Sequence, residues 1–116
     1  MPSKKIKFGD ICLVRFNPSV GDEFKKIRPA LVIQSEKVSA NSPYITVMPI
    51  SSQMERIGPD DVLLIADKEN RLLKDSVIRT HHISSFDRKR FMKVIGRANS
   101  TRLRKVRGYL RKHFNL

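Results

Sequence analysis

The stretch RPALVIQS, residues 28–35, drives an arginine into a proline and then into a run with the composition of a buried strand. Proline pushes the residue before it out of the α region toward β, so Arg28 is expected to be extended and held at a strand mouth. Working outward, GDICLVRF (9–16) reads as the preceding strand, and NPSVGDEFKKI (17–27), which holds Pro18, Gly21 and Asp22, as a long connecting loop. Downstream, EKVSANSP (36–43) reads as a polar loop and YITVMPI (44–50) as a third strand, ending near Pro49 because proline cannot donate to a central ladder. DVLLIAD (61–67) and DSVIRT (75–80) read as the fourth and fifth strands, with a turn over Lys68 to Lys74 between them. HHISSFDRKR (81–90) reads as irregular, followed by the short apolar run FMKVIGRA (91–98). Many short strands joined by turns predict a mainly β fold, a small sheet closed toward a barrel.

The tail follows a different period. Leu103, Val106, Leu110 and Phe114 recur at spacings of three and four, which predicts an amphipathic C-terminal helix whose apolar stripe lies on the sheet. Asn99 or Ser100 caps its start, and Gly108 is a local weakness.

The chain has 116 residues, of which 40% are hydrophobic, with no low-complexity run; one folded domain spanning 1–116 is expected. The longest apolar stretches, ICLV, ALVI and VLLIA, fall far short of the roughly 20 residues a membrane span needs. The start, MPSKKIKFGD, lacks the apolar core of a signal peptide, so a cytoplasmic protein without a membrane partner is expected. The single cysteine, Cys12, has the context of a small buried hydrophobe, and Met48 and Met54 read as packing.

Charge is the strongest bulk signal, at a formal +13. All 11 acidic residues lie at or before Asp87, together with 13 of the 24 basic ones, so the remaining cations all fall in the tail without an acid among them. The distribution points to a polyanionic partner or, more plainly, to a solvated basic helix face.

No metal site is readable. There is one cysteine, and His81, His82 and His113 have no second ligand at the spacing a metal needs. None of the five glycines forms a phosphate-binding loop, and any catalysis is expected to need no cofactor. The polar groups instead cluster at strand ends: GDEFKK before Arg28, SSQ after the third strand and RTHH after the fifth. Together they supply what cofactor-free RNA cleavage requires, in which the ribose 2′-hydroxyl attacks the adjacent phosphorus and the protein provides proton transfer and fixed positive charge. Arg28 suits the charge-stabilising role and Ser51 can bind a phosphate oxygen beside it. His81, or a carboxylate of Asp22 or Glu23, can move protons. Each feature also has an ordinary structural reading: Ser51 and Ser52 as the start of a loop, His81 and His82 as hydrogen-bonded strand-end residues, Lys25 and Lys26 as solubilising charges.

The run GDICLVRFNPSVGDEFKKIRPALVIQS resembles the opening of the MazF/PemK (Kid) toxins: a GD, a strand, a P-x-x-G-x-E loop, then RPA or RPV entering the next strand. VMPISSQ resembles the family's strand followed by a Thr or Ser pair, and LLKDSVIRTHHISSFDRKRF its L-x-x-D/S-SVV-R stretch with the loop and turn beyond. The resemblance covers nearly the whole chain. It implies a CcdB/MazF/PemK-like fold, a small SH3-like β-barrel with a C-terminal helix, and a homodimer. It further implies a metal-independent, sequence-specific endoribonuclease that cuts single-stranded mRNA to leave 2′,3′-cyclic phosphate and 5′-hydroxyl ends, inhibited by an acidic antitoxin, with DNA bound only through the antitoxin complex. Carried over by position, Arg28 matches the family's catalytic arginine, Ser51 the position of a catalytic threonine, and Glu23 the loop glutamate; Asp22, Arg79 and His81 stand where some members place a catalytic histidine and an R-x-D pair. Lys25, Lys26, Ser52, Gln53, His82 and Ser84 are the expected RNA contacts. A binding barrel without catalysis, or a degenerate toxin, remains the alternative reading.

Overall fold

The computed structural model describes residues 5–16 and 27–116. Its elements are β1 (Asp10–Arg15), β2 (Ile27–Val32), α1 (Glu36–Ser39), β3 (Tyr44–Ser51), β4 (Val62–Leu64), β5 (Ser76–Ile78), β6 (Ser84–Asp87), β7 (Phe91–Arg97) and α2 (Ser100–Phe114), with a 3₁₀ turn at Arg88–Arg90 before β7. The expected loop at 17–26, with Asp22, Glu23, Lys25 and Lys26, lies outside the described residues.

All the pairings are antiparallel, in the order β4-β5-β3-β2-β1-β7, with β6 on β3. Mainly β with a C-terminal helix is the expected class. Closure into a barrel is not made by strand pairing: no ladder joins β4 to β7 among the described residues, and the sheet is open at both edges. The runs ICLV and ALVI fail to alternate because both faces of the central strands are covered. Ile11, Leu31, Met48 and Ile50 face a core shared with Leu103 and Val106 of α2, while Cys12, Ala30, Val32 and Val47 face a second core closed by Phe91. Burial, with Asp10 nearby, pushes the Cys12 thiol up to about 12, which leaves it unreactive at neutral pH. Among the described residues no helix is long and apolar enough to cross a membrane.

Four expectations change in detail. The polar loop at 36–43 opens with the single turn α1, nucleated by Ser35, whose Oγ accepts the Val38 amide at 3.2 Å. β3 runs through Pro49 to Ser51, because Pro49 pairs with Ala30 where β3 changes partner from β6 to β5, and its carbonyl still accepts the Arg79 amide at 2.9 Å. HHISSFDRKR contains a strand, β6, in which Phe86 alone is apolar and packs against the second core, too little to show an alternation. On α2 the buried residues are Leu103, Val106 and Tyr109, while Phe114, expected on the stripe, is 52% exposed.

Asn99 caps α2 by accepting the Arg102 amide at 2.9 Å, and Asn115 ends it in the left-handed region at φ 58. Gly108 sits mid-helix where an added Cβ would meet nothing within 4 Å. Gly108→Ala is therefore expected to stabilise the protein by about 0.8 kcal/mol, the helix-propensity difference, raising Tm by roughly 3–6 °C in a thermal melt.

Candidate active site

Strand ends bring the first two site residues together. Ala30 pairs with Pro49, the last pair of the β2–β3 ladder, and the strand ends beyond it carry Arg28 and Ser51 to one cleft. The extended backbone that Pro29 enforces leaves the Arg28 guanidinium exposed and without a side-chain partner among the described residues. Ser51, the last residue of β3, accepts the Gln53 amide on its Oγ at 3.1 Å, which fixes the strand exit.

Arg28 and Ser51 line one cleft of about 560 Å3. Its walls are apolar, with Leu13, Pro29, Ile50, Leu72 and Ile95, and its polar groups include Ser52, Gln53, Arg71 and Lys74. Among the described residues, three cations and no carboxylate face this space. Apolar walls accept base faces, and cations without competing acids accept phosphate. Arg71 and Lys74 were not singled out in the sequence, where 68–74 reads only as a turn. The turn is built by Asn70, fully buried, whose Oδ1 accepts the amides of Asp67 and Leu72 at 3.0 Å each and whose Nδ2 donates to the Ile65 carbonyl at 2.8 Å. Arg71 follows it at φ 58, which turns the chain back over the cleft.

A second hollow, about 610 Å3, adjoins the cleft at Gln53, which lines both; it holds Glu55, Arg56, Asp61, Arg79, His81 and His82. Arg79 does not present its charge freely. It donates to the carbonyls of Gln53 (2.6 Å) and Arg56 and pairs with Asp61 at 3.1 Å, so it clamps the 52–61 loop. Asp61 also accepts the amides of Gly58 (3.0 Å) and Thr80 (3.2 Å). Burial pushes the Asp61 carboxyl up, but these amides and Arg79 outweigh it and hold it below the usual carboxylate range. A lowered folded value means stability that is fully present above about pH 4, the unfolded value, and lost as pH falls below it. Asp61→Asn is expected to flatten the loss of stability between about pH 4 and pH 2 in urea titrations, with the wild type still the more stable of the two at pH 7.

His81 is held from two sides. Its Nδ1 lies 3.1 Å from the Tyr109 hydroxyl, which also meets His113 Nδ1 at 2.9 Å, and its Nε2 lies 3.8 Å from Asp60. Among the described residues no cluster of three His, Cys, Asp or Glu side chains could hold a metal ion.

A model of the PemK-like, MazF-like toxins of type II toxin-antitoxin systems matches residues 7–114. The chain belongs to this toxin family. Among its members, the endoribonuclease MazF9 of Mycobacterium tuberculosis is 29% identical over 113 residues, covering 93% of this chain and 95% of that one. The crystal structure of MazF from Deinococcus radiodurans superposes with a TM-score of 0.76 at 26% identity, covering 96% of this chain and 97% of the other. A MazE-MazF structure from the same organism gives a TM-score of 0.78 at 24% identity over 97% of each chain, a likeness of fold.

Within the family frame, the structure brings Arg28, Ser51, Ser52 and Gln53 into the cleft, and Arg79, His81 and His82 into the hollow beside it. Ser84 lines neither: it pairs with Val47 in β6, an edge strand on β3. Asp22, Glu23, Lys25 and Lys26 fall outside the described residues.

Proposed function

We propose that the chain is the toxin of a type II toxin-antitoxin pair and acts in the cytoplasm as an endoribonuclease on single-stranded mRNA. The observation that carries this reading is that Arg28 and Ser51 line one cleft with Arg71 and Lys74, and that no acid is among its described lining residues. In the proposed reaction the 2′-hydroxyl loses its proton and O2′ bonds to the adjacent phosphorus. The P–O5′ bond breaks and O5′ takes a proton, leaving a 2′,3′-cyclic phosphate and a 5′-hydroxyl. Arg28 holds the negative charge that builds on the non-bridging oxygens, and the Ser51 hydroxyl bonds one of them. No group in this scheme needs a metal-bound hydroxide, since the nucleophile belongs to the substrate. His81, and the carboxylates of Asp22 and Glu23, are the proton-transfer candidates; Arg79 shapes the hollow by clamping its loop. Ser52, Gln53, His82, Lys25 and Lys26 contact the RNA. A homodimer and an acidic antitoxin, as in the MazE-MazF pair, complete the reading.

The test is incubation of the purified protein with a long single-stranded RNA in EDTA, mapping the new 5′ ends. Discrete cuts at a shared short motif with 5′-hydroxyl ends are expected. Intact RNA from folded protein that still retards it on a gel would overturn the reading in favour of a binding module, and intact RNA without retardation in favour of a degenerate toxin.

A further inference from the structure

α2 carries six Lys and Arg residues and no acid. At 100° per residue, Gly108 lies directly opposite the buried stripe of Leu103, Val106 and Tyr109, and Arg104, Lys105, Arg111 and Lys112 stand one turn above and below it, all exposed. The outward face is thus a flat spot rimmed by four cations, and nothing within 4 Å fills the space over it. Like charges at i,i+3 and i,i+4, such as Arg104 with Arg107 and Arg107 with Arg111, cost an isolated helix stability, and an anion laid along the face would relieve them.

This face is joined to the site. Lys112 Nζ meets Asp60 at 2.9 Å, Asp60 faces His81, and Tyr109 reaches His81 from the helix side. His81 lines the hollow that shares Gln53 with the cleft. A strand leaving the cleft past Gln53 therefore crosses the hollow and arrives at α2.

We propose that the outward face of α2 is a second binding surface, independent of sequence, for the sugar-phosphate backbone of RNA flanking the bond in the cleft. The proposal rests on the ribonuclease reading above. A protein partner fits the face less well, because interface centres are built on apolar anchors with charge depleted, and between Arg104 and Lys112 this face offers cations and a glycine. Phosphate contacts need only cations.

The experiment compares wild type with the triple variant Arg104→Ala, Lys105→Ala, Arg111→Ala, whose alanines favour helix. Binding of a 2′-O-methyl RNA, which lacks the nucleophile and cannot be cut, is measured against salt, and KM is measured for a minimal cleavable oligonucleotide and for one extended by about ten nucleotides at each end. Three lost phosphate contacts are expected to lower the log-log salt slope by about 2, since each contributes roughly 0.7 on single strands, and to raise KM on the order of tenfold for the extended substrate alone. An unchanged slope and KM would overturn the proposal, as would an equal rise in KM for both substrates, which would mean a general field and no defined surface. An unchanged slope with lost binding of an acidic peptide would overturn it in favour of protein docking. If wild type binds the uncuttable strand but cleaves neither substrate, the ribonuclease reading falls, while the slope still decides the helix face.

Discussion

Arg28→Ala is expected to slow RNA cleavage by about 10² to 10³-fold in kcat, the range for removing one preorganised stabiliser of developing charge. The magnitude follows from where the charge sits. Arg28 is fixed in its backbone by Pro29, faces a cleft with apolar walls, and has no carboxylate among the described residues of that cleft to neutralise it. Its charge is therefore available to phosphorane oxygens at no cost of reorganisation. The fold should not notice the change, because the side chain is exposed and has no partner among the described residues; a melt within about 0.5 kcal/mol of wild type is expected. Arg28→Lys, which keeps the charge and loses the planar fork, should fall between wild type and the alanine variant. Cleavage by Arg28→Ala at the wild-type rate would remove Arg28 from the mechanism.

Two kinds of signal made the fold readable. Unbroken apolar runs marked β1, β2 and β3, whose side chains enter two cores, and spacings of three and four marked α2. What escaped reading was set by partners distant in sequence. SSFD becomes β6 only because β3 offers its edge to Ser84–Asp87, and a half-exposed edge strand needs no apolar pattern. Tyr109 replaced Phe114 on the buried side of α2 because His81 and His113 satisfy its hydroxyl, a condition no helical period encodes. The site divides in the same way. Arg28 and Ser51 were visible as strand-end residues and as positions of a family motif, and the fold then set them in one cleft. Arg79 was visible only as the match to a catalytic position of the family, and the carbonyls and carboxylate that occupy it come from residues 53 to 61. Arg71 and Lys74 were invisible as site residues, since their place over the cleft depends on how the 67–72 turn lies against β7.

That dependence makes Gly96→Ala the second large effect. An added Cβ at Gly96 would collide with the Glu69 carbonyl oxygen and stand 2.6 Å from that of Asn70, both of them backbone atoms. The turn cannot yield locally. Asn70 is buried and ties it to Ile65, Asp67 and Leu72, and the Arg97 amide donates to the same Glu69 carbonyl at 2.9 Å. Either the turn lifts from β7 as a unit or β7 moves away from Asp10 and Arg97's ion pair with it. Overpacking against fixed backbone costs about 1–3 kcal/mol, and the upper end is expected here, a fall in Tm of roughly 10–20 °C. The functional consequence separates this variant from a merely unstable one. At temperatures where it remains folded, lifting the turn withdraws Arg71 and Lys74 from the cleft while leaving Arg28 and Ser51 in place, so KM for RNA should rise with kcat near wild type. An unchanged melting temperature would show that the turn and β7 are not in the contact described, and an unchanged KM would show that Arg71 and Lys74 do not hold substrate.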